Sequence, residues 1–239
     1  MVLFFAQLLA ALVVGGLLGT LVNVVATRLP ADLPLLGPPL RGVDDTPDKR
    51  SLIPYIGVRA SATGTIDWPN LGAQLGAALV ALIAFLIHGF TWSSVEAIVL
   101  ATVLLAILRI DWQHHLIFML TIWPGMLIAL CFSLLDSRGE FVSSLIAGLA
   151  AAGAFLFLYV LAIVIYRKRA LGLGDVFLAG LIGTMVGLQL VTLTLLFGMF
   201  VAAAGGLLLV ALRLRSRKDY IPYGAYLSAA TIVVVLLVG

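Results

Sequence analysis

Two aspartates stand out in a chain that otherwise avoids charge. Asp175 lies in YRKRALGLGDVFLAG, residues 166–180, where a basic cluster and two glycines, Gly172 and Gly174, lead into an apolar run. Asp111 lies in LRIDWQHHLIF, at another boundary between a cationic edge and an apolar run. An ionisable side chain in such a place is costly unless something uses it. If the two meet in a partly desolvated site, both cannot ionise cheaply and one proton is shared between them. Such a pair suits peptide hydrolysis by an activated water: one carboxylate accepts a proton from the water while its protonated partner polarises the scissile carbonyl. Each acid also has a plainer reading. Aspartate is a favoured helix N-cap, Asp111 could pair with Arg109, and a bare G-x-G-D is a weak pattern. Which carboxylate would hold the proton is open, because the pair titrates as a unit.

The elements that must position these acids are membrane helices. With 63% hydrophobic and 10% charged residues and a mean hydropathy of +1.20, the chain lies far outside soluble composition. The reading is an all-α, polytopic helical bundle. Apolar runs of spanning length fall near 3–27, 71–90, 93–109, 115–135, 141–165, 175–190, 191–212 and 221–238, about eight in all. The sixth and seventh are parted only by Gly187 and Gln189, so six or seven spans are alternatives. Lys and Arg in short loops stay cytoplasmic. With the N-terminus outside, thirteen of the fourteen basic residues fall on one side, leaving Arg138 opposite. That frame puts Asp111 and Asp175 independently at the same cytoplasmic membrane face. The net charge of +3 is then a topology signal, and no basic stripe interleaved with aromatics points to nucleic acid.

Three regions divide the chain: a first transmembrane helix over 1–28, a loop over 29–70, and a transmembrane core over 71–239. The first helix lacks the basic start of a secretory signal and is too long for one, so it reads as a mature helix. Gly15, Gly16, Gly19 and Thr20 give it a small-residue face for close helix approach, with Asn23 one turn further as an interhelical hydrogen-bonding or supporting residue. The Pro- and Gly-rich loop reads as irregular, and Trp68 as an interfacial anchor. His88 and Glu96 read as interface residues, and the single cysteine, Cys131, as packing; one thiol allows neither an internal disulfide nor a cysteine metal site. His114 and His115 stand at a helix start, where neighbours cannot both face one site.

The chain resembles the type IV prepilin peptidases, membrane aspartyl proteases of the G-x-G-D kind, over most of its length. GGLLGTLVNVVATRLP looks like their opening segment. Ile110-Asp111 with His114, Leu116 and Ile117, and then Pro124, match their first aspartate motif. Gly172 to Asp175 matches the second, and Ile221-Pro222-Tyr223-Gly224 resembles the segment opening their last span. The resemblance implies catalytic Asp111 and Asp175, supported by Gly172, Gly174, His114 and Asn23. It also implies a prepilin or pseudopilin substrate helix cut at the cytoplasmic face of a prokaryotic inner membrane. Peptidase chemistry then needs no cofactor, and S-adenosylmethionine would enter only with the relatives' added N-methyltransferase activity. Departures are specific. Phe118-Met119 and Phe177 replace the family's Pro-Asp and Lys, and the loop lacks the two Cys-x-x-Cys pairs of bifunctional members, which puts methylation in doubt. A non-catalytic relative and an ion- or proton-coupled transporter are the rival readings.

Overall fold

The computed structural model describes residues 2–35, 54–55, 67–135, 140–167, 172–213 and 222–238. Most of the first loop, Arg138 and the basic clusters beyond Arg167 and Arg213 fall outside these residues. Among the described residues the protein is all-helical: α1 (Val2–Arg28), α2 (Trp68–His88), α3 (Trp92–His114), α4 (Met119–Leu135), α5 (Phe141–Tyr166), α6 (Leu173–Ala211) and α7 (Tyr223–Val238). Five of them, α1, α2, α3, α5 and α6, are long and apolar enough to cross a bilayer, and α4 and α7 are shorter apolar helices. The protein is a polytopic membrane protein. Its chain divides into two compact units, Met1–Arg109 with Leu236–Gly239, and Ile110–Val235.

In the first unit, the glycine face of α1 does what small residues do in lipid, letting backbones touch. A Cβ on Gly15 would lie 2.2 Å from Ala78 Cα, and one on Gly19 would lie 2.4 Å from Gln74 Cα. The polar groups brought in along this seam satisfy one another, as a water-poor setting demands. Thr20 Oγ1 donates to the Gly16 carbonyl at 2.8 Å, and Gln74 Nε2 donates to Thr20 Oγ1 at 3.0 Å. Gln7 Nε2 donates to the Phe85 carbonyl at 2.7 Å. The turn at Pro54–Tyr55 docks on the same seam. Tyr55 N–H donates to Gln74 Oε1, its phenol donates to the Leu12 carbonyl, and its ring fills the space a side chain at Gly16 would need. His88 is tied to the Leu236 carbonyl at 2.9 Å, so it makes a packing contact. Cys131 is exposed on its helix, which corrects the packing role expected for it.

In the second unit, α6 is not one rod. Its 39 residues would extend about 58 Å if straight, nearly twice a bilayer core of about 30 Å. Gly187 interrupts it with φ 72° and ψ 176°, a conformation glycine adopts without a Cβ penalty. The residue beyond the break loses its intrahelical acceptor, and Ser143 Oγ supplies one to Leu188 N–H at 3.0 Å. The contacts show that the chain reverses here. Before the break, close approaches of Gly187 to Ser143, Gly183 to Ala147 and Gly180 to Ala152 run the first arm antiparallel to α5. After it, Gly198 packs on Leu227 and Gly205 on Tyr226 of α7. Gly174 and Gly205 would be about 46 Å apart on a straight helix, yet Gly174 shares Ile117 with Gly224 and Gly205 abuts Tyr226, within one turn of α7.

The closest backbone approach in this unit is at Gly183, where a Cβ would lie 2.4 Å from the Ala147 carbonyl oxygen and 2.9 Å from Gly148 Cα. Backbone cannot yield as a side-chain tip can. Gly183→Leu should therefore part α5 from α6 and cost about 1–3 kcal/mol or more, the usual penalty of overpacking. A lowered thermal unfolding midpoint in detergent checks this; an unchanged one would contradict the seam.

Candidate active site

Asp111 sits in the last turn of α3, because that helix continues to His114 rather than ending at residue 109. It is therefore not the N-cap of its own helix. Its carboxylate instead caps another helix of the same unit: Ala225 N–H donates to Asp111 Oδ2 at 2.7 Å, and the Gly224 amide also faces it. The first amides of any helix lack intrahelical acceptors, and α7, entered through Pro222, meets that need with Asp111. Arg109, two residues back and so on the far side of α3, does not pair with Asp111. Its guanidinium donates to Asn23 Oδ1 and, at 2.5 Å, to Asn70 Oδ1.

Asp175 lies in the first turn of α6, and Gly172 N–H donates to its Oδ2 at 3.0 Å. Gly172 has an ordinary φ of −84°, a conformation open to any residue. What the position requires is space, since a Cβ there would come 3.2 Å from Asp175 Oδ2. Gly174 is likewise a steric glycine, its Cβ position lying 2.8 Å from Ile117 Cβ.

Ile117 ties the two acids together. The chain leaves α3 through His115, at φ 54°, and carries Ile117 to where it packs on Gly174 of α6 and Gly224 of α7. A Cβ at Gly224 would be 2.8 Å from Ile117 Cδ1 and 3.1 Å from Asp111 Oδ2. One side chain thus touches the helix starts that hold both carboxylates. Asp111 is 3% and Asp175 5% exposed, and the charge of Asp111 is felt at Asp175. Two buried carboxylates within electrostatic reach, each oriented by a helix-start amide, can hold a water between an acceptor and a donor.

The expected supporting residues divide. Gly172 and Gly174 are beside the acids. His114 is exposed, and it is His115 that bonds back to the turn of Asp111, its N–H donating to the Asp111 carbonyl at 2.9 Å. Asn23 belongs to the first unit, where it joins a polar cluster at the ends of α1, α2 and α3. Its Nδ2 donates to the Asn70 carbonyl at 3.0 Å, Asn70 Nδ2 donates to Asp67 Oδ2 at 2.5 Å, and Asp67 caps α2 through Asn70 N–H. Arg109 is the buried centre of that cluster, and its charge interacts with Asp67. Sequence reasoning missed it, although Asp67-Trp68-Pro69-Asn70 carries an N-cap followed by proline in the first turn. Arg109→Met would strip Asn23 and Asn70 of a charged donor. Hydrogen bonds to charged groups contribute about 1.5–3 kcal/mol, so the variant should unfold at a clearly lower temperature; wild-type stability would refute the cluster's role.

Residues 98–207 match the model described as the type IV leader peptidase family. Similar curated proteins are named prepilin leader peptidase/N-methyltransferase. That of Pseudomonas aeruginosa is 31% identical over 146 residues, 59% of this chain and 49% of its own length. That of Myxococcus xanthus is 26% identical over 225 residues, 87% of this chain and 65% of its own. That of Stutzerimonas stutzeri is 28% identical over 152 residues, 62% of this chain and 51% of its own. The chain thus spans about half to two-thirds of the length of these relatives. No solved structure matches it significantly.

Proposed function

Since this chain belongs to the type IV leader peptidase family, we infer that it is an aspartic endopeptidase of the membrane that removes the leader of prepilins or pseudopilins, with Asp111 and Asp175 as its catalytic pair. The observation that supports this reading is the common packing of Gly174 and Gly224 on Ile117, which sets the start of α6, carrying Asp175, beside the start of α7, capped by Asp111. One carboxylate, ionised, takes a proton from water; the other, protonated, donates to the scissile carbonyl. The hydroxide adds to the carbonyl carbon, and collapse of the tetrahedral species breaks the C–N bond, releasing a carboxylic acid and an amine. Gly172 N–H keeps one oxygen of Asp175 fixed, and the helix-start amides of α7 keep Asp111 fixed, so little reorganisation is needed at the moment of reaction.

The substrate class follows from where such a pair would work. A leader with basic residues ahead of an apolar helix offers its junction at a membrane surface, the depth at which acids at helix ends can be reached from water. In the same reading the two arms of α6 are separate spans, making eight. The described basic residues Arg28, Arg109, Arg167 and Arg213 stand at the ends of the first, third, fifth and seventh, which supports an outside N-terminus and a cytoplasmic site. The loop over 29–70 then faces the cytoplasm, and leader removal proceeds without S-adenosylmethionine, which only a methylation step would consume.

The test is incubation of the purified protein in detergent with a prepilin from the same cell, with and without S-adenosylmethionine. The expected result is a product shortened by the leader at equal rates in both. An intact prepilin would favour a non-catalytic relative, and ion flux in proteoliposomes without cleavage would favour a transporter.

A further inference from the structure

Tyr223 brings a third polar side chain to the two acids. It opens α7, directly before Gly224, whose Cβ position lies 3.1 Å from Asp111 Oδ2 and 2.8 Å from Ile117 Cδ1. The same Ile117 closes on Gly174, directly before Asp175. Tyr223 is thus one residue from the contact that sets Asp111, and Asp175 is one residue from the other end of the Ile117 side chain. The phenol of Tyr223 is within electrostatic reach of Asp175, yet it makes no hydrogen bond among the described residues, to Asp175 or to any other. Tyr223 is half-buried, so it keeps open surface where the two acids are enclosed.

A hydroxyl touching a carboxylate would bond to it, since charge-assisted hydrogen bonds are the strong ones. A phenol that senses Asp175 without bonding to it leaves room for a third group between the two. Peptide hydrolysis calls for a donor in that place, because the carbonyl oxygen turns negative as water adds and is best met by fixed donors in a water-poor site. The helix-start amides beside the acids are already committed, Ala225 N–H to Asp111 Oδ2 and Gly172 N–H to Asp175 Oδ2. The Tyr223 phenol is uncommitted, and a phenol carries its proton at neutral pH and can donate it to a hydrogen bond. Resting on the peptidase reading, we propose that Tyr223 is a further catalytic residue, its phenol O–H donating a hydrogen bond to the scissile carbonyl oxygen as that oxygen becomes negative, beside the donor supplied by the protonated aspartate. The phenol keeps its proton throughout, and the bond weakens again when the C–N bond breaks and the carbonyl re-forms.

The test compares wild type, Tyr223→Phe and Tyr226→Phe as full-length proteins in detergent, by prepilin cleavage kinetics and thermal unfolding. Tyr223→Phe keeps the ring and removes only the hydroxyl. It should lower kcat about 10²-fold, the lower end of what one oxyanion donor contributes, while KM changes less than about threefold and the unfolding midpoint stays at the wild-type value. Tyr226→Phe, whose ring packs on Trp112 and Gly205, should keep kcat within about threefold of wild type. A kcat for Tyr223→Phe within that same margin would overturn the proposal and leave the aspartate pair in place. A loss matched by Tyr226→Phe, or accompanied by a lowered midpoint, would mark a hydroxyl that serves packing and would overturn it as well. Absence of cleavage by wild type would overturn both readings.

Discussion

Asp111→Asn and Asp175→Asn should each lower leader removal by at least about 10²–10⁴-fold, the range that positioned acid–base groups contribute, while the protein stays in the membrane. Asparagine keeps the shape of the carboxyl group and can still accept the helix-start amides, from Ala225 at position 111 and from Gly172 at position 175. Folding is then little disturbed, and what is lost is the ability to take up or hold the shared proton. The double variant should be scarcely slower than either single one, because groups acting as a unit are strongly non-additive. Single-turnover cleavage assays of the four proteins check this. Full processing by either single variant would remove that residue from the chemistry.

Gly224→Val should be nearly as damaging without touching an ionisable group. A Cβ at this position meets Ile117 Cδ1 at 2.8 Å and Asp111 Oδ2 at 3.1 Å. The tip of Ile117 can move, so Gly224→Ala should be tolerated better; valine adds two methyls to a space already closed by Ile117 and Asp111. A displacement of about 1 Å in a reacting group can cost about 10²-fold. We expect that loss in kcat from Gly224→Val, with a smaller one from Gly224→Ala. Equal activity of all three proteins would mean that Asp111 does not work from its position at the start of α7.

How far the sequence revealed this arrangement depends on whether the cause was local. The glycine face of α1 was legible because Gly15 and Gly19 fall on one side of a helix, and a small-residue face has one main use in a membrane. The reversal inside α6 was legible as an ambiguity, since Gly187 interrupts an apolar run too long for one crossing yet glycine alone does not dictate a turn. The role of Asp111 as cap of α7 was not legible, because its partner Ala225 is 114 residues away and only tertiary packing joins them. The same limit misplaced the histidines. His114 closes α3 and is exposed, while His115 leaves the helix at φ 54° and bonds back through its N–H to the Asp111 carbonyl. What the positions of Gly172 and Gly174 require is room beside Asp175 and Ile117, and the second of these partners is distant in the sequence.

A shared catalytic pair requires Asp111 and Asp175 to be neighbours in the membrane-embedded protein, and cysteine cross-linking reads that proximity without relying on activity. In a Cys131→Ser background carrying Asp111→Cys and Asp175→Cys, a short homobifunctional thiol reagent should join the two positions, so that proteolysis between them leaves the fragments covalently linked. Fragments that separate, although each cysteine alone is labelled by a monofunctional reagent, would contradict a shared catalytic pair.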